Sequence, residues 1–146
     1  MPTFDLIFTV ANIVAMLGWL GLALFPGRRI VVDGVSGLLI PALLSVAYAG
    51  LVAAYFAGAE GGFSSIAAVR ALFASDALLV AGWLHYLAFD LIVGAWEVRT
   101  ARTDGIPQLL VVPCLVLTFL FGPVGFLAFL ALRAAYARRA TLATEI

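Results

Sequence analysis

His85, Asp90 and Asn12 are the side chains with the most chemical reach in this sequence, because each falls inside a long apolar stretch. A polar or ionisable group in hydrocarbon is expensive, so each is a functional candidate by default. A structural reading stands beside each functional one. Asn12 also fits as packing glue that bonds a carbonyl on a neighbouring helix, a bond contributing about 0.6 kcal/mol on average. His85 also fits as a satisfied interhelical hydrogen bond, and Asp90 as a solvated carboxylate near the surface. The apolar neighbours Leu87, Ala88, Phe89, Leu91 and Ile92 speak against solvation at Asp90. Asp76, Glu97 and Asp104 fall at stretch ends and read as solvated. Cys114 is the single cysteine and reads as a small apolar group, with no disulfide framework and no CxxC pair. His85 is the single histidine, so an iron site held by several histidines cannot come from one copy of the chain. No zinc spacing, nucleotide-binding glycine motif or Ser–His–Asp arrangement is present, and neither a metal nor a cofactor is expected.

The elements that position these groups follow from composition. Hydrophobic residues make up 65% of the 146 and charged residues 11%, against roughly 45–50% and about 25% in soluble domains. One core cannot hide that much apolar surface, which excludes a water-soluble fold, and disorder and nucleic-acid binding with it. The eight basic residues are all Arg and are cancelled by eight acids, with no basic patch. A bilayer core takes about 20 apolar residues per helix. The sequence therefore predicts an all-α integral membrane four-helix bundle, one transmembrane domain over residues 1–146. Its spans cover about 4–25, 35–57, 77–96 and 109–132, with Pro, Gly and charge in every connection. The first stretch lacks a basic start and a small-residue cleavage pattern, so it reads as a permanent helix and neither a signal peptide nor a transit peptide. Between spans two and three, Ser64-Ser65 are placed to cap a short interfacial helix through Ala74, and a plain loop fits equally. Pro113, Gly122-Pro123 and Gly125 interrupt the fourth stretch, either as a pocket wall or as a packing kink.

Spacing assigns faces. Asp5, Asn12, Trp19 and Pro26 are seven residues apart, as are Asp76, Trp83, Asp90 and Glu97. Seven residues return to nearly the same face of a helix, so each helix carries one polar and aromatic stripe that should face the protein interior. Trp19 and Trp96 also fit an interfacial belt. By helical rise, Asn12, Tyr48 and His85 lie roughly 18–20 Å from the side of the first and third connections, with Asp90 at roughly 9 Å and Thr118 at roughly 14 Å. His85 and Asp90 are about 140° apart around their helix, so they are expected to face two different neighbours. Orientation is balanced: Arg28, Arg29, Arg99 and Arg102 fall on one side, and Arg70, Arg133, Arg138 and Arg139 on the other. The basic C-terminal tail favours a cytoplasmic C-terminus. A homodimer stays open.

The run from His85 to Gly94 followed by Trp96 resembles the central motif of the abscisic-acid-deficient-four-like family. The resemblance extends to Asn12, Trp19 and Pro26, to Gly105-Ile106, to Pro113-Cys114-Leu115 with Leu117-Thr118, to Gly122-Pro123 with Gly125, and to Arg133. It covers nearly the whole chain. Plant members of that family are required for neoxanthin synthesis, which opens the epoxide of violaxanthin and forms an allene. The resemblance thus implies a membrane-embedded enzyme acting on a carotenoid, by isomerisation, epoxide opening or oxidative cleavage of the polyene. Epoxide opening needs an acid at the oxygen and a base at the carbon that loses its proton. The analogy assigns Asp90 as the acid and His85 as the base, with Asn12 beside them. Trp19, Tyr48, Trp83, Phe89, Thr118 and Phe119 are then expected to line the substrate groove. Here the chain departs from plant members: no plastid-type leader is read, and the Arg-only, Ala-rich composition looks bacterial, which implies the bacterial inner membrane and makes neoxanthin an unexpected product. Two other readings compete. A carotenoid- or lipid-binding protein or assembly factor would tolerate His85→Gln. An ion-conducting protein is disfavoured because the second and fourth spans offer no continuous hydrophilic path.

Overall fold

The computed structural model describes the backbone of residues 2–144 and the side chains of residues 3–138. It is all-α. Among the described residues, six helices follow in order: α1 (Pro2–Leu24), α2 (Ile30–Tyr55), α3 (Ile66–Leu72), α4 (Asp76–Thr103), α5 (Gln108–Phe121) and α6 (Pro123–Thr144). α1, α2 and α4 are long and apolar enough to cross a membrane. Several of their large side chains, among them Leu6, Leu17, Leu38 and Val46, stand exposed, as a lipid-facing surface requires.

α4 is the central helix and packs against α1, α2 and α5. Small residues allow the close approach. A side chain at Gly94 would meet the Trp19 ring at 2.6 Å, and one at Gly18 would meet Leu91 at 2.7 Å. α2 opens as a π-helix over Ile30–Leu39, and the Ile40 N–H donates to Val35 O, five residues back. Pro41 follows at once. It has no N–H to donate, so it is tolerated where the wide winding gives way to the α-helical one. Inside the π segment, buried Ser36 donates its hydroxyl to Gly18 O at 2.9 Å and ties α2 to α1.

The connection after α2 forms a helix and not a plain loop. Ser65 is its N-cap, its Oγ accepting the Ala68 N–H at 3.1 Å. Phe63 and Ile66 stand exposed beside buried Leu72, as an interfacial helix arranges its faces. Gly61 has φ +96°, and a Cβ there would fall 2.2 Å from Ala68 O, so only glycine lets the chain enter this turn.

The fourth apolar stretch departs from the expected single span over 109–132. It breaks at Gly122, and α6 runs back along α5. Gly122 has φ +40°, and Pro123 lacks the N–H that would continue α5. Gly125 then lies directly against Thr118, where an added Cβ would fall 2.0 Å from the Thr118 nitrogen. Further along, Arg133 pairs with Asp104, which precedes α5. Had α5 and α6 continued straight, Arg133 would stand about 37 Å beyond the start of α5. α5 and α6 therefore form a helical hairpin. Each arm of a hairpin that starts and ends on one side needs only part of a bilayer's thickness, and α5 is about 21 Å long. A turn at depth is tolerated because it is buried against protein.

This reversal sorts the ends of the molecule. One end holds the α1–α2 connection, the end of α4, the start of α5 and the far part of α6, joined by Gln108 Nε2 to Leu22 O at 3.0 Å and by Arg99 to Asp33 at 3.3 Å. The other holds the start of α1, the end of α2, α3 and the start of α4, where the Phe4 and Tyr55 rings meet at 5.7 Å. The expected four-against-four split of arginines is corrected accordingly. Arg28, Arg29, Arg99, Arg102, Arg133 and Arg138 share the first end and Arg70 is at the second, while the Arg139 side chain lies outside those described.

Candidate functional site

The sequence candidates fall into three places around α4. The first is a cleft between α2, α3 and α4, a cavity of about 400 Å³ whose wall includes Tyr48, Phe56, Phe63, Phe73 and His85. The His85 ring lies 5.8 Å from Tyr48 and stacks on Phe89 at 4.5 Å. Phe89 is 54% exposed, on the outward face of α4. Local structure makes this room. Ser65 starts α3, and Phe73 at its end packs on Gly82, where a side chain would meet the ring at 2.7 Å.

The second place is the seam between α1 and α4. Asn12 donates Nδ2–H to Phe8 O at 2.7 Å, and its Oδ1 accepts the Trp83 indole N–H at 3.1 Å. The interhelical bond thus forms between two members of the two predicted stripes. Trp83 also packs on Phe8 and Tyr86, with ring centres 5.5 and 5.2 Å away.

The third place is the hairpin turn. Asp90 lies against Gly122, its Oδ1 3.0 Å from where a Cβ would be, and one carboxylate oxygen is buried without a partner. Tyr86 donates its hydroxyl to Phe119 O at 3.0 Å, which fixes the end of α5 against α4. Two turns along the same face, Glu97 is fully buried and accepts the Thr118 hydroxyl at 2.8 Å, leaving its second oxygen without a partner. Trp19 is buried here too, edge-on to Phe119 at 5.7 Å.

Tyr48, His85 and Phe89 are therefore brought together, as are Trp19, Asp90, Thr118 and Phe119, and as are Asn12 and Trp83. His85 and Asp90 sit on different edges of α4, as their angular separation predicts. Two expectations are corrected. Glu97 is not solvated at a span end, because the α5 arm of the hairpin covers it. Trp19 is not an interfacial belt residue, because Gly94 opens a socket for its ring inside the protein. Glu97 is the polar group that residue-by-residue reading misses, and its place on the Asp76–Trp83–Asp90 stripe is the signal that points to it. Among the described residues, no three His, Cys, Asp or Glu side chains converge as a metal-binding group. Cys114 is buried and unpaired, with its sulfur turned to Leu110 O at 3.8 Å.

The family model described as ABA DEFICIENT 4-like matches residues 6–129. The chain belongs to the ABA DEFICIENT 4-like family. The match spans α1 to the first part of α6, so all three places lie inside it, and Arg133 lies beyond it. No curated protein and no solved structure matches the chain. Membership in the ABA DEFICIENT 4-like family suggests a carotenoid-related membrane protein, and the three long apolar helices agree with the membrane setting.

Proposed function

We propose that the protein is a membrane-embedded enzyme that rearranges a carotenoid by acid–base chemistry. The observation that carries this reading is the aromatic cleft holding the single histidine, His85, on the outward side of α4. A carotenoid dissolved in the bilayer is about as long as the hydrocarbon core is thick, about 30 Å. It approaches from the side, so a binding surface for it must be apolar and face lipid. Tyr48, Phe56, Phe63, Phe73 and Phe89 meet that requirement and offer rings against which a polyene end group packs. Aromatic walls bind without reacting, and His85 and the Tyr48 hydroxyl are the groups among the described residues of the cleft wall that can exchange a proton.

In this reading His85, neutral, takes a proton from a carbon of the bound end group. Asp90, protonated, delivers one from the hairpin edge of α4, and Phe89 stands exposed between the two edges. The proton taken and the proton delivered balance, so isomerisation or epoxide opening needs no oxidant. Asn12 and Trp83 hold α1 against α4 behind these groups. Trp19, Phe119 and Thr118 hold α5 there. A bacterial inner membrane is the setting we infer from the composition.

The test is production in a carotenoid-making bacterium, with pigments analysed by chromatography beside a strain lacking the protein. A new carotenoid of unchanged mass identifies isomerisation, and shortened fragments identify cleavage by dioxygen. General acid–base groups contribute typically 10²–10⁴-fold, so His85→Gln and Asp90→Asn are expected to lower product at least 100-fold. Unchanged pigment that co-purifies with the protein, and does so equally in His85→Gln, would replace the enzyme by a carotenoid-binding protein.

A further inference from the structure

The hairpin gathers positive charge at one end of the molecule. Arg28 and Arg29 leave α1, Arg99 and Arg102 end α4, and α6 returns Arg133 and Arg138 to the same end. The described acids there are Asp33 and Asp104, and each is already taken, Asp33 by Arg99 at 3.3 Å and Asp104 by Arg133. Arg28, Arg29, Arg102 and Arg138 remain exposed with no carboxylate partner among the described residues. Among the described side chains, the opposite end carries Asp5, Glu60 and Asp76 against Arg70. Charge is thus separated along the long axis, which the linear count of arginines conceals.

Part of this end is shaped. Arg29, Asp33, Arg99, Arg102 and Thr103 line a recess of about 340 Å³ between the start of α2 and the end of α4. Two features hold it open. Asp33 fixes the Arg99 guanidinium on one side, and Gly37 leaves room for it, since a Cβ there would come within 3.0 Å of the Arg99 nitrogen. Arg29 and Arg102 stand beside it with no carboxylate partner among the described residues. Guanidinium pairs suit phosphate oxygens, which accept their planar donors two at a time. The recess lies where the spanning helices end, at the level of lipid headgroups. There a phosphate tethered to two acyl chains is the anion at hand, and its chains continue along the exposed apolar faces of α2 and α4.

We propose that this end of the protein binds an anionic phospholipid headgroup, held in the recess by Arg29 and Arg102 with Arg99 and Thr103 beside them. The surrounding Arg28 and Arg138 extend the attraction to neighbouring anionic lipids. Membrane potential and surface charge then act on this end, and it prefers the leaflet richer in anionic lipid.

The test uses the full chain in a neutral detergent, with thermal unfolding followed by tryptophan fluorescence. It is titrated separately with phosphatidylglycerol, phosphatidylcholine and inorganic phosphate. Phosphatidylglycerol is expected to raise Tm saturably, phosphatidylcholine is not, and the rise should shrink in high salt as an ionic contact is screened. In Arg29→Gln/Arg102→Gln, the half-saturating phosphatidylglycerol concentration should increase about tenfold or more, given the worth of each cation near a charged surface. Arg70→Gln at the other end should leave it unchanged. Equal stabilisation by the two lipids, or salt-independent stabilisation of the unaltered protein, overturns the proposal even if the double variant fails to fold. Inorganic phosphate that reproduces the full shift also overturns it, in favour of a small-anion site.

Discussion

Glu97 and Thr118 show how a single polar pair is handled away from water. Glu97 has no exposure, and one of its oxygens accepts the Thr118 hydroxyl at 2.8 Å while the other has no partner. A buried group left unsatisfied costs about 1–3 kcal/mol, whereas replacing both partners by apolar groups of like shape is nearly neutral. Glu97→Leu is therefore expected to destabilise by about 1–3 kcal/mol, because the Thr118 hydroxyl loses its acceptor. Thr118→Val should behave similarly, by orphaning the carboxyl group. The double variant should recover most of the loss, and thermal unfolding of the four proteins in detergent reads the coupling directly. Additive losses would mean that the pair is not coupled. His85 behaves differently in the same experiment. Its ring is engaged by stacking with Phe89 and by Tyr48, with no hydrogen bond fixing it, so His85→Gln should shift Tm by less than Glu97→Leu while abolishing product. Stability and activity then separate at two residues of one helix.

At the level of elements, the hairpin of α5 and α6 depends on two glycines for two different reasons. Gly122 supplies a backbone conformation, with φ +40°, and Gly125 supplies space, since any Cβ would overlap Thr118. Gly125→Ala has no relaxed solution, because the obstructing atoms are backbone. It is expected to destabilise by several kcal/mol, more than the 1–3 kcal/mol typical of overpacking a core, or to prevent folding outright. Gly27→Ala, with nothing within 4 Å of its added methyl, should leave Tm nearly unchanged, and the two variants compared in detergent check the argument. These glycines also explain how much of the fold is legible in the sequence. Three spans are readable because apolar length is a local signal, whereas the Ser64-Ser65 cap fits a short helix and a plain loop equally, and only the structure decides for α3. The seven-residue spacing of Asp76, Trp83, Asp90 and Glu97 is local too, and it is enough to put Asp90 and Glu97 on one inward face of α4. The reversal is not readable. Hydropathy over 109–132 counts apolar residues without direction, and Gly122-Pro123 is as compatible with a kink as with a turn. What decides is the fit of Gly125 on Thr118 and the pairing of Arg133 with Asp104, both contacts between residues on separate elements. The same reversal explains why Glu97 reads as solvated in the sequence and is buried in the protein. For the site, the sequence names the residues but does not distribute them, since separating the His85 cleft from the Asp90 turn depends on which helix lies against each edge of α4.

For the whole molecule, the hairpin changes the number of crossings and with it the side on which the chain finishes. Four crossings would put the end of the chain with the α2–α4 connection and opposite the α1–α2 connection. Three crossings and a returning hairpin put α6 beyond Arg133 on the same side as the α1–α2 connection, together with six of the arginines whose side chains are described. Basic residues in short connections favour the cytoplasmic side. The start of α1 and helix α3, with Asp5, Glu60 and Asp76, then face outward. Placing single cysteines in a Cys114→Ser background tests both statements at once, with Gly27→Cys, Ser64→Cys and Ala135→Cys made one at a time. A membrane-impermeant maleimide added to intact cells should label Ser64→Cys only, and should label the other two after permeabilisation. The decisive comparison is between Gly27→Cys and Ala135→Cys: equal accessibility requires the hairpin, and opposite accessibility requires a fourth crossing. Orientation is read from the same gel, because labelling of Gly27→Cys and Ala135→Cys together in intact cells would keep the hairpin and invert the molecule. That outcome would place the arginine-rich end outside, and the attraction to anionic cytoplasmic lipid would no longer determine how the protein sits in its membrane.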